Sequence, residues 1–179
     1  MSKLIWITGL AGSGKTSIGK GLFKKIKKKE PNTVIIDGDH YREVFGHSGY
    51  SKKERLLVAR NIVKLCNFLI LQDINVICCT ISLFKEIHTL NRKTFKNYYE
   101  IYISCNMEEL FRRDQKGLYS KAIKGKIKNV VGVDIDFDEP INPFLIIKNE
   151  KKESLSENIN KIIDKIQINE NQLGLYKTS

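Results

Sequence analysis

The sequence of 179 residues lacks the features that direct a chain to a membrane or to secretion. No apolar run approaches the roughly 18 residues of a membrane-spanning helix, and no basic segment followed by an apolar one opens the chain. Cysteine is scarce as well, and the four cysteines form no C-x-x-C pair. They lie in apolar or strand-like surroundings, which indicates reduced core residues rather than metal ligands or redox partners. We therefore expect a cytoplasmic protein with no membrane partner.

Internal repeats, low-complexity linkers and signs of a second domain are missing too. A chain of this length is long enough for one α/β domain with a proper core and too short for two. We predict one domain over residues 1–168, followed by a polar, frayed tail over residues 169–179.

Positive charge, in contrast, is abundant, with a formal net charge of +11. The lysines are spread over the whole chain, and no aromatic side chains are interleaved with them as a stacking surface. This pattern favours solvated faces over a nucleic-acid interface. A basic balance also suits an enzyme with two polyanionic substrates, because it raises their rate of encounter.

The strongest positive signal is the stretch GLAGSGKT at residues 9–16, which matches the phosphate-loop pattern G-x-x-x-x-G-K-[ST]. An apolar run at residues 4–7 predicts a buried strand before it, and residues 17–26 have the apolar spacing of a helix. In such a loop the backbone N–H groups and the helix N-terminus bind phosphate. Lys15 would reach the β- and γ-phosphates of ATP or GTP, and the Thr16 hydroxyl would ligate Mg²⁺. The predicted ATP-binding residues here are Gly9, Ala11, Gly12, Ser13, Gly14, Lys15, Thr16 and Ser17.

A pair of carboxylates follows the second predicted strand, at residues 33–36. Because the carboxyl ends of parallel strands meet at one edge of a sheet, Asp37 and Asp39 should lie close to the phosphate loop. One carboxylate can hold the water shell of a metal, and the other can accept a proton from an attacking hydroxyl. We assign the role of general base, which accepts this proton, to Asp39, although the pattern alone leaves open which of the two carboxylates it is.

The rest of the chain completes an α/β pattern. A capping box of Ser51 and Glu54 opens a helix predicted to reach about residue 72. Residues 115–129 carry five lysines and two glycines, which we interpret as a mobile lid over ATP, the alternative being an ordinary solvated helix pair. A further run, residues 134–139, is acidic. Other predicted strands are 75–81, 99–103 and 144–147, and other predicted helices are 40–45, 91–96, 107–113 and 154–166.

The order of these motifs resembles the adenylylsulfate kinases, which phosphorylate the ribose 3′-hydroxyl of adenosine 5′-phosphosulfate. The resemblance covers residues 4–147. It implies a P-loop mononucleotide-kinase fold with a central parallel five-stranded sheet, Mg-ATP as phosphoryl donor, a small nucleotide rather than nucleic acid as acceptor, and a homodimer. The matching stretches are the phosphate loop, Asp37-Gly38-Asp39 before Arg42, Gly49-Tyr50-Ser51 before Arg55, Ile81-Ser82, Lys116-Gly117-Leu118-Tyr119, and Ile127-Lys128-Asn129 before Gly132.

The resemblance also implies roles for individual residues. Lys15 and Asp39 would be catalytic, Arg113 would join the ATP site, and Lys121 would belong to the lid. Arg42 and Arg55 would hold the phosphate end of the acceptor. The implied acceptor-binding positions are Asp37, Asp39, Arg42, Tyr50, Arg55, Ile81, Ser82, Leu83, Lys116, Gly117, Leu118 and Val130.

Departures from the family pattern fall in the acceptor half. Val58 replaces an asparagine, Leu83 replaces the proline of a Ser-Pro-Tyr loop, and Val130 replaces a phenylalanine that lies against the adenine. Losing that aromatic face removes about 1 to 3 kcal/mol of stacking. We therefore favour an acceptor with a smaller base, cytidine 5′-diphosphoramidate, used by a similar branch of the family on the route to capsule phosphoramidate. Adenylylsulfate is the alternative, and a nucleic-acid-stimulated ATPase a distant one.

Overall fold

A single parallel sheet organises the computed structural model, which describes residues 2–150 and 154–172, except for the side chain of Gln115. Its strands are β1 (Leu4–Thr8), β2 (Thr33–Asp37), β3 (Asn75–Thr80), β4 (Tyr98–Ser104) and β5 (Leu145–Lys148). They are ordered β2-β3-β1-β4-β5, and every neighbouring pair is parallel. The predicted α/β fold with five parallel strands is confirmed.

Helices cover both faces of the sheet in the part of the chain that is described. They are α1 (Lys15–Ile26), α2 (Gly38–Val44), α3 (Lys52–Ile70), α4 (Lys85–Thr94), α5 (Met107–Arg113), α6 (Leu118–Ile123) and α7 (Leu155–Gln172). The predicted capping box opens α3, with Ser51 and Glu54 bonded to each other in both directions. Over the same described residues, none of the helices is long and apolar enough to cross a bilayer.

The central strand β1 is buried on both sides, so its side chains supply two separate cores. Leu4 and Trp6 point to the face covered by α3 and α4, whereas Ile5 and Ile7 point to the face covered by α1 and α7. This double burial explains the continuous apolar run that identified the strand.

Two helices begin or end well beyond their predicted limits, because distant contacts extend them. Helix α4 begins at Lys85 rather than near residue 91, since the Asp138 carboxylate accepts the Lys85 N–H at 2.9 Å and caps the helix from another loop. Helix α7 continues to Gln172, beyond the start of the predicted tail at residue 169, because Glu170 is buried and its carboxylate lies 2.8 Å from the Lys3 ammonium. The remainder of that tail, residues 173–179, lies outside the described residues.

Candidate active site

A cleft of about 640 Å³ opens at the carboxyl edge of the sheet, where β1, β2 and β3 end. This is the edge at which the sequence placed the phosphate loop and the acidic pair. The predicted site residues that line the cleft are Ala11, Gly12, Gly14, Lys15, Thr16, Ser17, Asp37, Asp39, Arg42, Tyr50, Arg55, Ile81, Ser82, Lys116, Leu118 and Val130.

The phosphate loop connects β1 to α1 and forms one wall of the cleft. Gly12 and Gly14 have φ values of +77° and +102°, which favour glycine over any residue with a side chain. Gly14 also packs directly on the side-chain amide of Asn149, so that a Cβ would have no room. Helix α1 begins at the next residue, and its N-terminal N–H groups make this wall a site for anions.

Lys15 lies beneath the loop with 8% of its surface exposed, and its Nζ donates to the Leu10 carbonyl oxygen at 2.7 Å. Burial lowers the pKa of Lys15 to about 8, although the nearby carboxylates of Asp39 and Asp37 act to raise it. The ammonium is therefore stabilised less than an exposed lysine would be. A phosphate group in the cleft would supply the missing negative charge.

Asp37 is held by three donors at the end of β2. The Thr16 hydroxyl donates to Asp37 Oδ2 at 2.7 Å, while Oδ1 caps α2 by accepting the N–H groups of Asp39 at 3.0 Å and His40 at 3.4 Å. Thr16 and Asp37 thus present a hydroxyl and a carboxylate side by side on the cleft wall. Hard oxygen donors of this kind suit Mg²⁺, so the residues present fit the metal that the family resemblance implies.

Asp39 stands in the first turn of α2 and is exposed to the cleft. Unlike Asp37, its carboxylate accepts no hydrogen bond from any residue that the structure describes. Burial lowers the pKa of both Lys15 and Arg55, and the charge of Asp39 acts against that shift at both residues. Asp39 is therefore the carboxylate of the pair that is accessible to a substrate hydroxyl.

Two arginines of the cleft wall flank the ring of Tyr50. The guanidinium carbon of Arg42 lies 4.6 Å from the ring centroid and that of Arg55 lies 5.2 Å from it. Arg42 donates to the Gly49 carbonyl at 2.7 Å, and Arg55 donates to those of Tyr50 at 2.8 Å and Asn129 at 2.7 Å. Since a guanidinium carries five N–H donors, both side chains retain donors for an anion. The wall is a second, separate site for negative charge.

The apolar part of the cleft lining, here called the floor, includes Val130. Val130 is 3% exposed and packs in the same core cluster as Leu10 and Tyr119. The Asp134 carboxylate fixes this part of the chain by accepting the N–H groups of Asn129 at 2.6 Å and Val130 at 2.5 Å. Other apolar side chains that line the cleft include Val58, Ala59, Phe84 and Ile127.

Several predicted site residues do not line the cleft. The prediction that Leu83 lines the cleft is wrong, because its side chain is fully buried in the core. The neighbouring Phe84 lines the cleft instead. Lys121 points its Nζ to the Lys116 carbonyl at 3.4 Å. Arg113 lies behind the phosphate loop, so a direct contact with ATP stays a prediction. The remaining residues away from the cleft surface are Gly9, Ser13 and Gly117.

Sequence reasoning missed two residues that brace the phosphate loop, Tyr119 on the cleft wall and Asn149 after β5. Asn149 donates to the Ser13 carbonyl at 2.7 Å, and the Tyr119 hydroxyl donates to the Ala11 carbonyl at 2.8 Å. Asn149 follows β5 directly, so a signal was available: it is a polar residue at the carboxyl end of a parallel strand, like Asp37 after β2.

Known proteins are similar to this chain over most of its length. The family model described as adenylylsulphate kinase matches residues 1–148. The chain is 50% identical over 165 residues to a Campylobacter jejuni protein named cytidine diphosphoramidate kinase, covering 92% of this chain and 96% of that one. It is 34% identical over 154 residues to a probable adenylyl-sulfate kinase of Archaeoglobus fulgidus, covering 86% and 99% of the two chains. The solved APS kinase of Mycobacterium tuberculosis, in complex with AMPPNP and APS, is 29% identical, with a TM-score of 0.85 over 93% of this chain and 98% of that chain.

Proposed function

The chain belongs to the adenylylsulphate kinase family and is a kinase that phosphorylates a ribose 3′-hydroxyl, and from that premise we propose that its acceptor is cytidine 5′-diphosphoramidate. ATP with Mg²⁺ would be the phosphoryl donor. The similar Campylobacter protein, which carries the name of that activity, supports this choice of acceptor.

Val130 is the observation that carries the proposal. It occupies the cleft floor at the position where the resemblance implies a phenylalanine against adenine, and Val58, which stands in place of an asparagine, also lines the cleft. The phosphate loop, Lys15 and Thr16, in contrast, keep the family pattern. An ATP site that keeps the family pattern, together with an altered site for the acceptor base, is expected when the chemistry is retained and the base is different.

On the donor side, the loop N–H groups and Lys15 would bind the β- and γ-phosphates of ATP. Thr16 directly, and Asp37 through water, would hold Mg²⁺, which neutralises the charge of these phosphates when bound. The negative charge of the phosphates would stabilise the buried ammonium of Lys15.

On the acceptor side, Asp39 would accept the proton of the ribose 3′-hydroxyl as its oxygen attacks the γ-phosphorus in line with the departing ADP. Arg42 and Arg55 would bind the diphosphoramidate end and orient the nucleotide. Lys116 and other lysines of the lid segment would neutralise the group in transfer.

The decisive experiment compares two acceptors with the purified protein. ADP release is measured with Mg-ATP and equal concentrations of cytidine 5′-diphosphoramidate or adenylylsulfate, and phosphorus NMR identifies the product. We expect turnover with the cytidine compound. Efficient turnover with adenylylsulfate alone would assign the chain to sulfate activation, the second candidate that family membership supports.

A variant pair tests whether the cleft floor sets this preference. Val130→Phe should lower kcat/KM for the cytidine compound and raise it for adenylylsulfate, because the new ring fills the floor and offers about 1 to 3 kcal/mol of stacking to adenine. Val131→Phe is the matched control, since Val131 is equally buried but does not line the cleft. If both variants change the two acceptors alike, residue 130 does not determine the base.

The homodimer and the mobile lid implied by the resemblance remain proposals. The mass in solution tests the first, with twice the 20.6 kDa of one chain expected. Hydrogen exchange over residues 115–129, with and without ATP, tests the second.

A further inference from the structure

Four consecutive carbonyl oxygens of the phosphate loop are each held by a side-chain donor. One donor, Lys15, belongs to the loop itself, and the other three come from elsewhere in the chain. The pairs are Leu10 with Lys15 Nζ at 2.7 Å, Ala11 with the Tyr119 hydroxyl at 2.8 Å, Gly12 with Arg113 Nη1 at 3.2 Å, and Ser13 with Asn149 Nδ2 at 2.7 Å.

Holding a carbonyl also aims the N–H group that follows it. In a planar trans peptide the C=O and the next N–H point in opposite directions, so a side chain that fixes the carbonyl also fixes the direction of that N–H. Tyr119 fixes the peptide before Gly12 in this way, and Asn149 fixes the peptide before Gly14. These are the peptides most able to turn over, because glycine tolerates the alternative backbone angles. A turned peptide would direct a carbonyl oxygen at the phosphates of ATP.

Tyr119 is itself rigidly placed. It is 1% exposed, its ring packs edge-on against Phe111 with centroids 5.4 Å apart, and its N–H donates to the Asp114 carboxylate at 2.8 Å. The hydroxyl therefore approaches the Ala11 carbonyl from a side chain with little freedom to move.

Asn149 is fixed from behind by α7 and by Arg113. Its Oδ1 accepts from Asn158 Nδ2 at 3.2 Å, which leaves Nδ2 facing Ser13. Its own carbonyl accepts from Arg113 Nη2 at 2.7 Å, and Arg113 Nε is in turn bonded to Glu109 at 2.9 Å. The amide is thus oriented before any nucleotide arrives.

We propose that Tyr119 and Asn149 are positioning residues for the phosphoryl donor, acting through the Ala11 and Ser13 carbonyls to select the loop conformation whose N–H groups face the phosphates. This proposal rests on the proposed function only in taking ATP as the phosphoryl donor. It does not depend on which nucleotide is the acceptor. Neither side chain needs to touch ATP.

The test compares Tyr119→Phe with Tyr102→Phe. Both variants lose one hydroxyl from the same core cluster, but the Tyr102 hydroxyl donates to Glu139 at 2.9 Å and not to the loop. Calorimetry measures the Kd of Mg-ATP without any acceptor, and steady-state kinetics give KM for each substrate. We expect Tyr119→Phe to weaken ATP binding about threefold to tenfold, the effect of one hydrogen bond, with the acceptor KM unchanged. Tyr102→Phe should lower thermal stability to a similar extent and leave the ATP Kd as it is.

Asn149→Ala tests the second contact independently and carries the test if Tyr119→Phe does not fold. It should weaken ATP binding by a similar factor. Wild-type ATP affinity in either folded variant would overturn the role of that residue. Equal weakening of ATP binding by Tyr102→Phe would mean that the loss of affinity reflects lowered overall stability and not the contact with the loop. Because no acceptor is present, an error in the proposed acceptor would leave these results unchanged.

Discussion

At the scale of single residues, Asp37 and Asp39 differ in what binds them. Both line the cleft, but Asp37 accepts three hydrogen bonds and caps α2, whereas the Asp39 carboxylate accepts none from the described residues. We expect Asp39→Asn to lower kcat about a hundredfold or more, the contribution of a general base, with the ATP Kd retained. Asp37→Asn should instead raise the Mg²⁺ concentration required for half-maximal activity. Steady-state kinetics at several Mg²⁺ concentrations separate the two, and retained turnover in Asp39→Asn would remove Asp39 from the role of base.

The lowered pKa of Lys15 predicts that the protein takes up a proton when it binds ATP. Its pKa of about 8 means that the free enzyme loses this proton above pH 8, while bound phosphates favour the ammonium. Binding at pH 9 should therefore take up about one proton, and ATP affinity should fall up to about tenfold per pH unit above pH 8. Calorimetry in buffers of different ionisation enthalpy measures the uptake.

The stability of the free protein should show the opposite trend over the same range. The pKa of an unfolded lysine is near 10.5, so between pH 8 and 10.5 the unfolded chain holds more protons at this position. The contribution of Lys15 to the free energy of unfolding therefore rises with pH in that interval. Lys20→Ala, which removes an exposed lysine from the same helix, should preserve both effects; loss of the proton uptake in that variant would contradict the assignment to Lys15.

At the scale of elements, a cap supplied by a distant loop sets the wall of the acceptor site. Asp138 accepts the Lys85 N–H at 2.9 Å and donates its own N–H to the Leu83 carbonyl at 2.9 Å, so it fixes the segment that carries Ser82 and Phe84 into the cleft. Asp138→Ala should cost about 1 kcal/mol of stability, as the loss of an N-cap does, and should raise the acceptor KM more than the ATP KM. Urea unfolding and kinetics check both effects.

The exposed Asp136 in the same acidic loop offers a matched control for that substitution. Asp136→Ala removes a similar charge without removing the cap, so both its stability and its acceptor KM should stay close to the wild-type values. Equal effects of the two variants would mean that loop charge, and not the cap, positions the wall.

Elements and site residues encoded in neighbouring positions could be predicted from the sequence. The phosphate loop is one continuous stretch, and Asp37 and Asp39 directly follow a strand whose apolar run is visible in isolation. The position of Asn149 after a strand places it at the edge that carries the site, but its partner could not be predicted, because Ser13 is 136 residues away along the chain. The start of α4 was missed for the same reason, since its cap comes from Asp138. Leu83 was placed in the cleft because a motif position does not say which of two adjacent side chains faces inward.

At the scale of the whole molecule, an ion cluster joins α7 to the amino edge of the sheet, the edge opposite to the cleft. The buried Lys3 ammonium lies 2.9 Å from Glu30 and 2.8 Å from Glu170. Burial acts to lower the pKa of Lys3, but hydrogen bonds and charge from the two glutamates outweigh it and the pKa is raised. This attachment explains why α7 extends to Gln172.

We expect Glu170→Gln to lower the free energy of unfolding by about 2 to 4 kcal/mol, because a buried charge loses one of its two partners. Urea unfolding measures the loss, with Asp164→Asn, an exposed position on the same helix, as the control within about 0.5 kcal/mol of wild type. Since the folded pKa of Lys3 is raised, the stabilisation is complete below pH 10.5 and disappears as the pH rises through the folded value. A difference that persists after Lys3 is deprotonated would contradict the ion-pair explanation.

The central position of β1 has a consequence for biosynthesis. Leu4 pairs with Val76 on one side and with Tyr98 on the other, so β1 has no neighbour until β3 has been synthesised, and it lacks its second neighbour until β4 follows. During that interval the segment LIWIT is an unpaired apolar strand, the kind of sequence that associates with other chains. A topology with such distant pairings also folds slowly once complete. Nascent chains of this protein should therefore depend on chaperone protection until β4 has emerged, and the nucleotide site forms only after that point.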